Sequence, residues 1–277
     1  VAANVMVETL LAHGIHILIA IGGDGTMAGL HALAQEITAR GLSIAVVGIP
    51  KTIDNDISFI DKTFGFDTAV SIARTAIDAA HTEALSLRNG VGLVKLMGRA
   101  SGFIAAQATI ASRNVNVCLV PEVPFDIQGR GGLLDHLEQR LARRKHAVVV
   151  VAEGCGERLL PAIDGSPNSD IRDASGNMRF QSARLDIGEH LRRRISEHFA
   201  KRKLACTIKF IDPSYMIRGV PANAGDAVFC DALARHGVHA AMAGKTDMMI
   251  GRCHRVFTHV PLALVLSQTK RIQPRDT

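Results

Sequence analysis

Tryptophan is absent from this chain of 277 residues, tyrosine occurs once, and all aromatics together make up 4 %. A surface that grips single-stranded nucleic acid stacks bases on aromatic rings, so the composition argues against such a platform. Cysteine is scarce as well. Cys118, Cys155, Cys206, Cys230 and Cys253 are odd in number, widely spaced and form no CxxC pair. That pattern speaks against a zinc site and a disulfide framework and leaves buried, reduced thiols as the expectation. No apolar run reaches the ~18 residues of a membrane-spanning helix, and there is no internal repeat or low-complexity tract. What the chain does have is 47 % hydrophobic residues against 21 % charged ones, ample for a buried core and suited to two lobes rather than one.

The formal net charge is +6, and Arg192-Arg193-Arg194 with Lys201-Arg202-Lys203 form its densest patch. Leu185, Ile187, Leu191, Ile195 and Phe199 recur mostly at helical spacing through the same stretch, so the charges fall on the solvated face of an amphipathic helix. The basic excess suits small anionic ligands, and neither a nucleic-acid nor a membrane partner is expected. Strand patterns near 15–21, 44–49, 91–96, 116–120 and 147–152 alternate with helical patterns near 27–39, 67–85, 101–112 and 131–144. This order predicts an α/β fold with a doubly wound, mainly parallel sheet. The stretch 154–182, rich in Gly, Asp, Ser and Asn, reads as a long surface loop.

Two loops carry the chemistry. In Ile21-Gly22-Gly23-Asp24-Gly25-Thr26, glycines follow an apolar strand and precede a helix read from Met27 to Ala39. Such a loop lets backbone N–H groups and a helix start approach a polyphosphate. Asp24 is placed to hold Mg²⁺, a hard cation that takes one or two carboxylates and completes its shell with substrate phosphates and water. Alone, this loop also resembles the phosphate loop of NAD kinases and of lipid kinases. In the second loop, Pro50-Lys51-Thr52-Ile53-Asp54-Asn55-Asp56, a tight turn after the Ala45–Ile49 strand gathers two carboxylates, an amide, a hydroxyl and a lysine. Open α/β sheets place their ligand crevices at such carboxyl edges.

Both loops, with Lys95-Leu96-Met97-Gly98-Arg99, Pro121–Phe125 (PEVPF), Val151–Gly154 (VAEG) and Asp212–Arg218 (DPSYMIR), stand in the order that resembles the 6-phosphofructokinase family. The nearest subgroup contains plant and trypanosomatid ATP-dependent enzymes with their bacterial relatives. The resemblance runs from about Val5 to about Val265. It implies two interleaved lobes: 1–65 with 218–264 for the phosphoryl donor, and 66–217 with 265–277 for the sugar phosphate. It also implies Mg²⁺ as cofactor, ATP as donor, fructose 6-phosphate as acceptor, a cytoplasmic setting in glycolysis, and a homo-oligomer, tetramer or dimer.

By the same resemblance Asp54 is the general base for the sugar's 1-hydroxyl, Asp24 and Asp56 organise the metal, and Thr52 donates to sugar or phosphate. Arg99 meets the accumulating negative charge and completes the catalytic set with Asp54 and Thr52. Ile53, Met97 and Gly98 line the substrate, Glu153 accepts from sugar hydroxyls, and Tyr215 with Arg218 binds the ring and 6-phosphate. Lys209 stands where many bacterial members use an arginine supplied by a neighbouring subunit. Gly23, Asp24, Gly25, Thr26 and Gly29 form the nucleotide-phosphate site, and Asn55 braces its turn.

Donor choice rests on Gly25 and Lys51. Pyrophosphate-dependent relatives carry aspartate and lysine at these positions, whereas common bacterial ATP-dependent members have glycine at both. This chain has one of each; the space left at Gly25 makes ATP the expectation and pyrophosphate the alternative. Gly90 replaces an arginine that reaches across the subunit interface in common bacterial members. The chain opens at Val1 in a helix-like segment, with no initiator Met and no earlier Gly-rich strand-loop-helix. The expectation is therefore a fragment lacking the family's first nucleotide loop. The remaining alternatives are an NAD kinase-like or lipid kinase-like enzyme, which the second loop and Tyr215–Arg218 oppose, and a non-catalytic regulatory subunit, which the presence of Asp24 and Asp54 opposes.

Overall fold

The structure is a computed structural model that describes residues 3–156 and 186–273. The outer part of the expected loop, from residue 157 on, and Leu185 lie outside these residues. The chain divides into two compact units, 3–67 with 222–270, and 68–156 with 186–221 and 271–273. The changeovers at 67/68, 221/222 and 270/271 compare with 65/66, 217/218 and 264/265 in the sequence reading.

In the first unit, helix α1 (Ala3–Ala12) leads into strand β1 (Ile17–Gly22), helix α2 (Asp24–Ala39) and strand β2 (Ala45–Pro50). After the second unit the chain returns through helix α8 (Ala224–Met242), strands β7 (Met248–Cys253) and β8 (Val256–Pro261) and the short helix α9 (Leu262–Val265). The sheet runs β1-β2-β7-β8, parallel except for the last pair. Successive strand residues point to opposite faces, and the core follows suit. Val46 is buried with Leu30, Leu33 and Ile37 of α2, whereas Val47 and Ile49 are buried with Phe229 and Leu233 of α8. Helices therefore cover both faces, as a doubly wound sheet requires.

The second unit begins within helix α3 (Phe66–Ser86) and contains strand β3 (Gly90–Leu96), helix α4 (Phe103–Ser112), strand β4 (Val117–Leu119), helix α5 (Leu133–Arg144) and strand β5 (His146–Ala152). Helix α6 (Ile187–Lys201), strand β6 (Thr207–Ile211) and helix α7 (Ser214–Arg218) complete it. Its sheet is parallel throughout, in the order β4-β5-β3-β6. Helix α3 lies so close to β3 that a methyl on Gly90 would collide with the Ala84 carbonyl and one on Gly92 would stand 2.7 Å from that of Ala80. Packing thus accounts for glycine at position 90. Ile187, Leu191, Ile195 and Phe199 of α6 are buried while Arg192 and Arg193 are exposed, the amphipathic division expected of this segment.

Two expectations change. α2 starts at Asp24, not Met27, because Met27 N–H already donates to the Gly23 carbonyl. All five cysteines are free, yet only Cys155 is buried; the other four are half-buried. The sheet of the first unit ends in an antiparallel strand, reached by a two-residue turn at His254-Arg255 with φ of 50° and 68°. Such turns ordinarily use Asn-Gly. Here the Asp61 carboxylate accepts from both turn N–H groups, at 3.0 and 3.1 Å, and holds the conformation without glycine.

Candidate active site

β1 and β2 are parallel neighbours in register to their ends, with Gly22 opposite Pro50, so both chemistry-bearing loops leave the same sheet edge. They touch there. Lys51 N–H donates to the Gly22 carbonyl at 2.9 Å, and a methyl on Gly23 would lie 3.7 Å from both the Lys51 carbonyl and Thr52 Cβ. Gly22 itself has no room for a side chain, because Thr26 Oγ1 occupies that space. Asp24, Gly25 and Thr26 form the first turn of α2, whose N–H groups have no intrahelical partner. Gly25 is half-exposed, and Gly29, one turn on, faces open space.

The second loop is braced from within. Thr52 Oγ1 accepts from Asp54 N–H at 3.1 Å and donates to Asp56 Oδ1 at 3.4 Å. Asn55, buried with φ of 54°, accepts from Thr63 N–H at 3.1 Å, and Thr63 Oγ1 returns a bond to the Thr52 carbonyl at 2.6 Å. Asp54, Ile53 and Asp56 are half-buried around this frame, while Lys51 is exposed beside them.

Burial and then the charge of Asp56 push the Asp24 carboxyl up from 3.8 to about 6. Burial also raises Asp56, against its own backbone hydrogen bond, Thr52 and Lys270. Two partly buried carboxylates, both raised by burial and one also by the charge of the other, are what a divalent cation relieves. Among the described residues no cluster of three or more His, Cys, Asp or Glu comes together. The donor set thus fits Mg²⁺ held by two carboxylates and substrate phosphates rather than a protein cage. The folded protein binds the Asp24 proton more tightly than the unfolded chain, so stability is greatest below pH 4 in this respect and is lost as pH rises through about 6. Denaturant titrations without divalent cations are expected to display this loss, and Asp24→Asn to diminish it; an unchanged profile in that variant would refute the assignment.

The second unit builds a separate set. β3 and β5 end level with one another, Leu96 opposite Ala152, so Met97-Gly98-Arg99 and Glu153 emerge from the same edge. Gly154 N–H donates to the Gly98 carbonyl at 3.0 Å, and a methyl on Gly154 would collide with the Arg99 carbonyl. Burial raises the Glu153 carboxyl, and the charges of Arg99 and Lys95 act against it. Tyr215, 91 % exposed, and Arg218 lie on α7 after β6, with Ile217 between them buried. Lys209 is not with this group. It pairs across from Gly92 on β6, four residues short of the Leu96 level, and its Nζ lies 3.6 Å from Glu83 on α3.

Three residues without an assigned role from sequence also belong here. Lys95, itself buried, pairs with Asp186 and Asp212, both of which keep about a third of their side chains exposed. The only sequence signal of this cluster is a lysine within the otherwise apolar β3.

A family model described as Phosphofructokinase matches residues 2–241. The chain is 48 % identical to ATP-dependent 6-phosphofructokinase 1 of Arabidopsis thaliana over 98 % of its own length and 56 % of that relative. It is 49 % identical to the ATP-dependent 6-phosphofructokinase of Amycolatopsis methanolica, over 98 % and 59 %. Among solved structures, the pyrophosphate-dependent phosphofructokinase of Marinobacter aquaeolei matches with a TM-score of 0.76 and 23 % identity, over 98 % of this chain and 65 % of that one. The chain therefore spans less than two thirds of the length of these relatives. The fold is the α/β architecture of solved phosphofructokinases, and the chain belongs to the phosphofructokinase family.

Proposed function

We propose that the chain carries the phosphoryl-transfer centre of an ATP-dependent 6-phosphofructokinase, which converts fructose 6-phosphate and ATP to fructose 1,6-bisphosphate and ADP in glycolysis. The observation that carries this reading is the convergence of two loops at one sheet edge, with Asp24 and Asp56 electrostatically coupled and Asp54 in the braced turn between them. The names of relatives at 48 % and 49 % identity agree with it.

In this reading Asp54 takes the proton of the sugar's 1-hydroxyl as that oxygen attacks phosphorus. Asp24 and Asp56 hold Mg²⁺, which supplies neutralisation of the transferred phosphoryl group. Arg99 adds a planar, permanently charged fork, and Thr52 positions the acceptor loop. Glu153 accepts from sugar hydroxyls, Tyr215 and Arg218 bind the 6-phosphate and ring, and Met97, Gly98 and Ile53 are assigned to substrate binding. The first turn of α2, with Gly23, Gly25, Thr26 and Gly29, receives the nucleotide phosphates. Lys209, remote from Arg99 within its own unit, is assigned to a neighbouring subunit of a homo-oligomer, tetramer or dimer.

The test is formation of fructose 1,6-bisphosphate by the full-length protein with Mg²⁺ and either ATP or pyrophosphate. Turnover with ATP alone is the expected outcome. Turnover with pyrophosphate alone would mean that Lys51 outweighs Gly25, and silence with both donors would sink the proposal.

A further inference from the structure

All seven positions of β3 are buried, yet one of them is a lysine. Lys95 is 9 % exposed, and its Nζ donates to Asp186 and, at 2.6 Å, to Asp212 Oδ2. An ammonium in such a place is costly unless it is paired and hydrogen-bonded. Burial alone would pull Lys95 down; its two carboxylate partners outweigh that and hold it above the ordinary lysine range.

Each partner has a second task. Asp186 caps α6, accepting from Gly188 N–H at 2.7 Å and Glu189 N–H at 3.1 Å. Asp212 accepts from Ser214 N–H at 3.1 Å and from the Ser214 hydroxyl, which fixes the first turn of α7. That helix has five residues, of which Tyr215 and Met216 are 91 % and 66 % exposed and only Ile217 is buried. With so little packing, its orientation depends on how it leaves β6, and Asp212 sits at that exit. The Lys95 charge also acts on Glu153. A single cation thus bears on strand β3, the start of α6, the start of α7 and Glu153.

We infer that Lys95 is a positioning residue for sugar-phosphate recognition, orienting through Asp212 the helix that presents Tyr215 and Arg218. This rests on the proposed role of those two residues. The experiment measures equilibrium binding of fructose 6-phosphate and of ATP, with steady-state kinetics, for the full-length protein and for Lys95→Met, Asp212→Asn and the double variant. Fructose 6-phosphate affinity is expected to fall about tenfold to a hundredfold, the effect of displacing substrate-holding groups by a fraction of an ångström to an ångström. ATP affinity should stay within about threefold, since the donor loops lie in the other unit, and the double variant should lose no more than Lys95→Met, because the two residues act through one contact. Asp212→Asn leaves Lys95 paired with Asp186 and keeps the test open if Lys95→Met does not fold. Unchanged sugar-phosphate affinity in a folded variant, or equal losses for both ligands, would overturn the inference. A wild-type protein that binds fructose 6-phosphate without turnover would count against the proposed activity alone, and one that does not bind it would remove both.

Discussion

Replacing Asp54 with alanine is expected to lower turnover with fructose 6-phosphate by about a hundredfold to ten-thousandfold, the range for loss of a positioned general base. The acceptor hydroxyl is a poor nucleophile until a carboxylate takes its proton, and no other group in the 50–56 turn is placed to substitute. Asp56 is assigned with Asp24 to the metal in the proposed function, and it accepts from the Thr52 hydroxyl. The turn itself should survive the change. Its frame is the buried Asn55, whose side chain accepts from Thr63 N–H, and the Thr63 hydroxyl bonded to the Thr52 carbonyl. Sugar-phosphate affinity should also survive, because Arg99, Glu153, Tyr215 and Arg218 belong to the other unit. The measurement is kcat and fructose 6-phosphate affinity side by side. A drop in kcat with affinity kept identifies a base, an equal loss of both would indicate collapse of the loop, and unchanged kcat would remove Asp54 from the mechanism.

The loops of the candidate site were legible because their chemistry is local. A strand, a glycine-rich turn and a helix within Ile17–Ala39, or a strand and a polar heptapeptide within Ala45–Asp56, can be read without knowing what lies beside them. Buried strands with continuous apolar runs, such as Ala147–Ala152, announced themselves in the same way. The rest depended on distant partners. β7 and β8 carry no alternating pattern, and their turn has no glycine because Asp61, almost two hundred residues earlier, supplies the hydrogen bonds that a left-handed turn needs. The first turn of α2 was read as loop because Asp, Gly and Thr favour loops, whereas the Gly23 carbonyl makes it helix.

Lys95 is the clearest case of information that local reading cannot reach. A lysine in an apolar strand reads as a local inconsistency until the chain brings Asp186 and Asp212 to it from 91 residues and more away. Lys209 is the converse. Its position in the family pattern suggested a residue that serves a neighbouring subunit, and strand register sets it across from Gly92 and beside Glu83, away from the edge that carries Arg99. Residue type suggests what a side chain is able to bind, and register decides where it is able to do so.

Donor choice supplies the second large effect, and in the proposed function it turns on one missing side chain. Gly25 is the second residue of α2, half-exposed, in a turn whose N–H groups have no intrahelical partner and beside an Asp24 already raised to about 6. A carboxylate at this position would be the third in the cluster. At about 5 Å from a phosphate charge, with an effective dielectric of about 20, it would cost roughly 3 kcal/mol, or about a hundredfold in ATP affinity. Gly25→Asp is therefore expected to raise the KM for ATP about a hundredfold or more. Pyrophosphate has no counterpart of the nucleotide's α-phosphate, whose space the proposal puts at Gly25, so with Lys51 exposed beside it the same variant should gain measurable turnover with that donor. Gly25→Ala separates charge from bulk: it fills part of the same space, suits a helix better than glycine, and should leave ATP kinetics within about threefold. If alanine impairs ATP use as severely as aspartate, the pocket discriminates by shape and the electrostatic argument fails. If aspartate leaves ATP kinetics intact, position 25 does not select the donor and Lys51 becomes the residue to test.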